Sequence, residues 1–291
     1  MLRSCSRTLR ESLSFTRYIV LPVPDPPDNS PFRLPEPGIA GETAGTGPDV
    51  VLAHGLTATR RYVVSGSRAL PRAGYRLTTY DARGHGESDP AETYEYRDMV
   101  RDMEAVLDHL GARHAVVGGA SMGAATAVAF ALAHPERVRA LILITPAYEG
   151  QPSGAYDDWD ALADGLEHGG VEGFLAAYDP PIGEPWRETV LKVARQRLER
   201  HRHPEAVAQA LRAVPRSAAF DGLGALEEIE LPTLIVASRD EADPGHPLRV
   251  GEQYAALLPD AELVTEEPGK SPLAWQGARL SRRIGEFLTR V

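Results

Sequence analysis

At 291 residues, with 43% hydrophobic and 25% charged side chains, the chain has the composition of a globular protein with a substantial core. Its formal net charge of -10 argues against a nucleic-acid partner, because phosphate binding requires a basic patch. The single cysteine, Cys5, excludes an internal disulfide bond and favours a reducing compartment, so a cytoplasmic location is predicted.

The amino-terminal segment is basic and rich in serine. Residues 1–17 contain arginines among several serines and no continuous apolar region, which predicts a disordered extension rather than a secretory signal. A short strand is predicted at 18–21, and residues 22–37 form proline-rich turn and edge material. No apolar run approaches the ~20 residues that span a bilayer, so no membrane partner is predicted.

Short apolar strands alternate with helices over the first half of the chain. Strands are predicted at 50–53, 75–80, 115–117 and 140–144, and helices at 61–73, 98–110 and 124–133. This alternation indicates a mostly parallel sheet with helices on both faces. Residues 18–146 are therefore assigned to an α/β core.

The pattern changes between residues 147 and 230, where strand signals are absent. This segment is predicted to be a helical cap inserted into the core, which then resumes over 231–291. The cap helices are predicted at 157–168, 171–178, 186–201 and 205–214. In the resumed core, strands are predicted at 233–237 and 262–264, and helices at 248–258 and 271–288.

A glycine-rich pentapeptide places Ser121 between a strand and a helix. The sequence Gly119-Ala120-Ser121-Met122-Gly123 follows the strand at 115–117 and precedes the alanine-rich helix at 124–133. This strand–turn–helix context predicts a nucleophile elbow, in which small residues let the strand and helix cross closely. The glycines lack the G-x-G-x-x-G spacing of a dinucleotide-binding turn, so no nucleotide cofactor is predicted.

Further motifs accompany the serine motif in a fixed order. His54-Gly55 ends one predicted strand, residues 81–88 (Asp-Ala-Arg-Gly-His-Gly-Glu-Ser) follow the next, and residues 240–247 follow a late strand. With these motifs, the chain resembles the α/β-hydrolase superfamily over about residues 48–289, in particular its single-domain members with a helical cap. The resemblance implies an α/β fold with a mostly parallel sheet, helices on both faces and an inserted cap.

The resemblance also implies the residues of an active site. Ser121 would attack a carbonyl carbon, and the backbone N–H groups of Met122 and Leu56 would form the oxyanion hole. Asp243 has the Asp-x-x-x-Pro spacing of the family's acid, and Asp240 competes with it because it lies nearer the end of the strand. No metal or other cofactor is predicted.

The general base departs from the family pattern. The family places a histidine after the last strand, where this chain has Lys270, and no histidine occurs after His246. Neutralising a lysine at pH 7 costs roughly 4.6 kcal/mol, and contact with Asp243 would raise its pKa, whereas burial under the cap would lower it. In a dry pocket with Asp243 pointing elsewhere, Lys270 would act as the base of a Ser–Lys arrangement. His246, close in sequence to Asp243, either replaces the base or caps the following helix. A charged Lys270 would instead hold a substrate carboxylate or an oxyanion.

Other histidines are interpreted as structural. His54 and His85 belong to the loop motifs and are expected to make structural hydrogen bonds. His201 and His203 end a predicted cap helix, where a positive side chain suits the helix dipole. They predict no metal site, because side chains two positions apart on a helix point to different faces.

Two functions follow from these residues. The first is a serine hydrolase with a non-standard base, acting on a small ester, lactone or related acyl substrate through an acyl-enzyme. The alternative is a non-hydrolytic catalyst, or a protein that binds a small anion, on the same fold with a broken triad. The sequence does not predict an oligomeric state.

Overall fold

The computed structural model describes residues 29–36, 38–183, 186–239, 243–267, 275 and 277–291. Within them, the strands form one eight-stranded sheet in the order β1-β2-β4-β3-β5-β6-β7-β8. The strands from β3 to β8 are parallel, and β1 and β2 are antiparallel at one edge. The strands are β1 (Ser30–Arg33), β2 (Ala40–Ala44), β3 (Asp49–Ala53), β4 (Arg76–Tyr80), β5 (Ala115–Ala120), β6 (Val138–Ile144), β7 (Thr233–Ala237) and β8 (Ala261–Thr265).

Helices cover both faces of the sheet, as predicted from the sequence. One face packs against α2, α3 and α7, and the other packs against α1 and α8. None of the helices in the described residues is both long enough and apolar enough to cross a membrane. The helices are α1 (Ala69–Arg72), α2 (Tyr96–His109), α3 (Met122–Ala133), α4 (Tyr156–Ala177), α5 (Trp186–Leu198), α6 (Pro204–Ala213), α7 (Leu248–Leu257) and α8 (Ala278–Leu288).

The central strands are apolar on both sides because both faces of the sheet are covered. Val50, Val51 and Leu52 of β3 are fully buried, with alternate side chains in the two apolar clusters. Such continuous apolar runs are typical of parallel strands inside an α/β protein. The predicted α/β fold with a mostly parallel sheet is therefore confirmed.

Helices α4 to α6 lie between β6 and β7 and pack on one another. Helix α4 bends at Gly170, which has a φ of +60°. The two arms of α4 cross closely, because a Cβ atom on Gly165 would lie 2.5 Å from the Gly173 carbonyl oxygen. The helices predicted at 157–168 and 171–178 are these two arms. A separate apolar cluster, which includes Phe174 and Leu211, joins the inserted helices.

The helix predicted at 61–73 is wrong. The chain there forms a short 3-10 turn at Arg60–Tyr62 and then only the four-residue α1. Between them, Ser65 and Gly66 have φ values of +49° and +69°, which a helix does not accommodate.

The sequence does not predict β2, and it describes the region of β1 only as edge material. These two strands are held by antiparallel pairing at the sheet edge rather than by a marked apolar run. The extension 1–17, the strand predicted at 18–21 and the beginning of the last predicted helix at 271–274 lie outside the described residues.

Candidate active site

Ser121 occupies a strained turn at the carboxyl end of β5. Its φ is +52° and its ψ is -110°, a conformation that residues other than glycine rarely adopt. The Ser121 N–H donates to the Ile144 carbonyl oxygen at the end of β6, at 3.0 Å. Helix α3 begins at the next residue, Met122. The turn therefore has the strand–turn–helix geometry that the sequence predicts.

Two glycines allow the elbow to pack against the end of β3. A Cβ atom on Gly119 would lie 2.4 Å from the Ala53 carbonyl oxygen, and so would one on Gly123. These distances are far below a van der Waals contact with backbone, so neither position accepts a side chain. The glycines are thus required by the close approach of β3, β5 and α3.

The loop after β3, residues 54–58 and here named the Gly55 loop, lies beside Ser121. A Cβ atom on Gly55 would lie 3.4 Å from the Ser121 Cβ atom. The Ala58 N–H closes a turn on the Gly55 carbonyl oxygen at 2.9 Å. No hydrogen bond from the Leu56 N–H is made within the described part of the chain. Met122 is the first residue of a helix, where N–H groups lack an intrahelical partner.

A buried ion pair anchors the end of the Gly55 loop. Asp81 is fully buried and pairs with Arg60, whose backbone N–H also donates to the Asp81 carboxylate at 2.7 Å. The Glu87 N–H donates to the same carboxylate at 3.0 Å. Burial raises the pKa of Asp81, and the contacts with Arg60 act in the opposite direction. The conspicuous motif at 81–88 therefore has a structural role next to the elbow.

Asp243 and His246 form a hydrogen-bonded pair in the loop after β7. His246 Nδ1 donates to Asp243 Oδ1 at 2.7 Å, and each side chain is 27% exposed. Burial lowers the pKa of His246, but the charge and hydrogen bond of Asp243 outweigh it, so the net pKa is raised. The pair leaves Nε2 as the ring nitrogen available to another group.

Ser121 and the Asp243–His246 pair lie at the same edge of the sheet, the one formed by the carboxyl ends of the parallel strands. Strands β5, β6 and β7 are parallel neighbours, so their carboxyl ends are together, roughly 10 Å across two strand spacings. Within the described residues, the Ser121 hydroxyl donates no hydrogen bond to His246 or to any other group. Lys270 and Asp240 lie outside the described residues.

A cation from the inserted helices faces this edge, although the sequence gives no signal that distinguishes it. Arg197 of α5 has a buried Nε atom with no hydrogen-bond partner among the residues described. Its guanidinium group lies over the Tyr62 ring, 5.6 Å from the centroid. Burial lowers the pKa of Arg197, and the nearby groups Asp243 and Tyr178 act in the opposite direction.

Two aromatic side chains at the end of α4 pack together, and one of them, Tyr178, lies near Asp243. The rings of Phe174 and Tyr178 are 5.7 Å apart, and Phe174 is buried in the cluster of the inserted helices. Burial raises the pKa of Tyr178, and the charge of Asp243 raises it further. Tyr178 and Arg197 are therefore both close enough to Asp243 to feel its charge.

A buried carboxylate joins the loops that follow β7 and β8. Glu266 accepts hydrogen bonds from the Arg239 N–H at 2.6 Å and from Trp275 Nε1 at 3.0 Å. Trp275 Nε1 also donates to the Ala237 carbonyl oxygen at 3.1 Å. Both carboxylate oxygens of Glu266 are thus engaged in holding the loops together. No sequence motif marks Glu266 or Trp275.

A metal-binding geometry occurs only at the surface of the described residues. Asp164, Glu167 and His168 are exposed and close enough to share an ion. Arg212 already pairs with both carboxylates. This cluster is on the inserted helices and contributes nothing to the edge that carries Ser121.

The geometry agrees with comparisons to known proteins. A family model for the alpha/beta hydrolase fold matches residues 48–278. A 2-hydroxy-6-oxononadienedioate/2-hydroxy-6-oxononatrienedioate hydrolase from Burkholderia vietnamiensis is 31% identical over 232 residues, or 76% of this chain and 79% of that protein. A putative 2-succinyl-6-hydroxy-2,4-cyclohexadiene-1-carboxylate synthase from Bacillus subtilis is 26% identical, over 87% of this chain and 96% of that protein.

A solved structure shows the same similarity. A thermophilic esterase from Thermogutta terrifontis, with malate bound, has a TM-score of 0.71 and 25% sequence identity to this chain. The match covers 91% of this chain and 99% of that chain. The sheet order, the serine elbow and these comparisons agree, and the chain belongs to the α/β-hydrolase fold family.

Proposed function

We propose that the protein is a serine hydrolase that cleaves a small ester, lactone or related acyl substrate through an acyl-enzyme on Ser121. The observation that carries this proposal is the strained elbow of Ser121 beside the Gly55 loop. In this arrangement, the serine oxygen attacks the carbonyl carbon, and the N–H groups of Leu56 and Met122 bind the oxyanion. Similarity to hydrolases and to an esterase supports the same reaction class.

His246 is the proposed general base, and Asp243 holds its ring. Nε2 takes the proton of the Ser121 hydroxyl as the ester is attacked, and returns it to the leaving group. The same nitrogen then activates the water that cleaves the acyl-enzyme. A histidine works as a base only when neutral, so the rate should rise with pH through a pKa above 6.5.

Arg197 and Lys270 are proposed to bind a carboxylate of the substrate. No described residue forms a hydrogen bond with the Arg197 Nε atom, and the terminal guanidinium nitrogens are proposed to pair with a bound carboxylate. The similar esterase structure holds malate, which is itself a carboxylate. Lys270 is assigned a cationic role, because its use as a base would require an expensive deprotonation.

The inserted segment 147–230 is proposed to act as the cap of this site, on a core of residues 18–146 and 231–291. The position of Tyr178 and Arg197 near Asp243 supports this assignment. A cap of this kind would exclude water and select the acyl group. We also propose that the protein is cytoplasmic and that its partner is a small-molecule substrate.

The test of the proposed function is the reactivity of Ser121. The wild-type protein should be labelled by a fluorophosphonate probe and should hydrolyse p-nitrophenyl butyrate. Ser121→Ala should lose both, with a drop in kcat of about 10⁶-fold to the level of detection. A wild-type protein that remains unlabelled while correctly folded would rule out the serine hydrolase.

The second candidate is a non-hydrolytic catalyst or an anion-binding protein on the same fold. It is favoured by the Ser121 hydroxyl, which has no imidazole partner among the described residues, and by similarity to a putative synthase. For this candidate, calorimetry should detect succinate binding that Arg197→Met abolishes, while the serine stays unreactive. Labelling and turnover in the wild type would decide against it.

A further inference from the structure

Three histidine rings form a row between the Gly55 loop and the inserted helices. His54 follows β3, His85 lies in the loop after β4, and His201 lies between α5 and α6. The ring centroids of His54 and His85 are 5.2 Å apart, and those of His85 and His201 are 5.5 Å apart. The row therefore connects the edge of the sheet that carries Ser121 to the segment inserted between β6 and β7.

Each histidine contacts one of three consecutive carbonyl groups in the Gly55 loop. The contacts are His54 Nδ1 to the Gly55 oxygen at 2.8 Å, His85 Nε2 to the Leu56 oxygen at 2.5 Å, and His201 Nε2 to the Thr57 oxygen at 3.2 Å. Because each peptide is planar, fixing its carbonyl oxygen also fixes the direction of its N–H group. His54 and His201 therefore hold the loop by donated hydrogen bonds. The neutral ring of His85 has a single N–H for the Leu56 and Arg83 carbonyl oxygens, which its two nitrogens face.

His201 is the member of the row that comes from the inserted helices. The Gly86 N–H donates to His201 Nδ1 at 2.9 Å, so Nε2 carries the ring proton and donates to Thr57. The Arg202 N–H donates to the Gly86 carbonyl oxygen at 2.9 Å. Burial and the neighbouring His85 lower the pKa of His201 to about 3, so the ring is neutral at physiological pH. The positive charge expected at His201 from its place at a helix end is therefore wrong.

We propose that His201 is a positioning residue, which joins the inserted helices to the Gly55 loop and sets the direction of the Leu56 N–H. This inference rests on the proposed hydrolase function, in which that N–H binds the oxyanion. The Thr57 carbonyl shares its peptide plane with the Ala58 N–H, which donates to the Gly55 carbonyl oxygen at 2.9 Å. That oxygen shares its peptide plane with the Leu56 N–H, so movement at Thr57 reaches the donor through this turn. A misplacement of about 1 Å in such a site costs about 10²-fold in rate.

Two substitutions separate the contacts of the ring. In His201→Asn, the side-chain oxygen takes the place of Nδ1 and keeps the bond from Gly86, but the shorter side chain loses Thr57. In His201→Gln, the longer amide reaches Thr57 again. His203→Asn is the matched control, since His203 is a nearby histidine whose partner is the exposed Glu205.

The assay measures hydrolysis of p-nitrophenyl acetate per fluorophosphonate-titrated serine, so that misfolded protein does not count. We expect kcat of His201→Asn to fall about 10- to 100-fold with KM within about threefold, because the oxyanion hole acts in the transition state. Affinity for phenylboronic acid, which forms a tetrahedral adduct with serine, should weaken by a similar factor. His201→Gln should recover part of both losses, and His203→Asn should match the wild type.

Unchanged kcat and unchanged boronate affinity in His201→Asn would overturn the inference. A loss of stability alone, with normal kcat per titrated serine, would do so too, since it indicates a purely structural residue. If His201→Asn does not fold, the same two readouts are taken on His201→Leu, which fills the space of the ring but makes no hydrogen bond to Thr57, and wild-type values at both refute the role. A wild-type protein that is neither labelled nor active refutes the hydrolase function itself. This differs from the result in which wild type and His201→Asn are equally active, which refutes only the role of His201.

Discussion

The two sides of the candidate active site, named here for the roles proposed for their residues, are built in different ways. On the nucleophile side, Ser121 and the Gly55 loop are held by backbone contacts and by buried groups such as Asp81. On the acid side, Asp243 and His246 are held by a side-chain hydrogen bond between partly exposed groups. The first side matches the family pattern at every motif residue, and the second side departs from it.

Under the proposed mechanism, this difference explains why the base can change position while the nucleophile cannot. The elbow depends on the absence of side chains at Gly119 and Gly123, so a substitution at either position disrupts the packing of the sheet. The Asp243–His246 pair depends only on two side chains three residues apart, which local changes in sequence can create. A histidine in the acid loop can therefore replace the one expected after β8, while the carboxylate stays in its place.

The nucleophile side should respond to substitution with the largest effect. Gly119→Ala puts a Cβ atom 2.4 Å from backbone and should lower the free energy of unfolding by about 3 kcal/mol or more. Gly154→Ala is the matched control, because nothing lies within 4 Å of that position, and it should change stability by less than about 0.5 kcal/mol. Urea unfolding of both variants measures the difference. Equal stability of the two would show that sterics do not fix the elbow.

Substitution of Arg197, which lies beside the acid side, should change the KM for charged substrates rather than the stability of the fold. Arg197→Met should raise KM for p-nitrophenyl hemisuccinate about 10- to 100-fold, because one charged hydrogen-bonded contact of about 1.5–3 kcal/mol is lost. Kinetics with the neutral p-nitrophenyl butyrate should stay close to those of the wild type. Arg195→Met, on the same helix but paired with the exposed Glu172, is the control. A similar rise in KM for both esters would argue against a carboxylate site.

The smallest expected effect is a pH-dependent change in stability. The pKa of His246 is raised in the folded state, so its pairing with Asp243 stabilises the fold below about pH 6.5. This contribution disappears as the pH rises through the folded pKa. Unfolding free energies of wild type and His246→Gln should therefore differ more at pH 5.5 than at pH 8.5. A difference that is constant across this range would contradict the raised pKa.

The sequence predicts the elbow and the parallel core because these depend on local patterns. Short stretches of sequence are enough to recognise the glycine spacing at Gly119 and Gly123 and the apolar strands. The break at Ser65 and Gly66 and the pairing of β2 depend on backbone conformation and edge contacts that leave no such pattern.

The contacts that join distant segments could not be predicted. His201 reaches Thr57 and Gly86, which are 144 and 115 residues away in the chain. Arg197 resembles the other arginines of α5 until folding places it near Asp243. The proximity of Asp243 and His246 is local and was open to sequence reasoning, but the hydrogen bond between them required the folded loop.

The most direct test of the proposed mechanism is the rate of Ser121 acylation by a fluorophosphonate in two variants, His246→Ala and Lys270→Met. The probe carries no carboxylate, so it reports activation of the serine and not substrate binding by a cation. We predict that His246→Ala slows acylation by about 10²- to 10⁴-fold, because a general base is lost, and that Lys270→Met stays within about threefold of the wild type. The reverse pattern, with a slow Lys270→Met and a normal His246→Ala, would contradict His246 as the base.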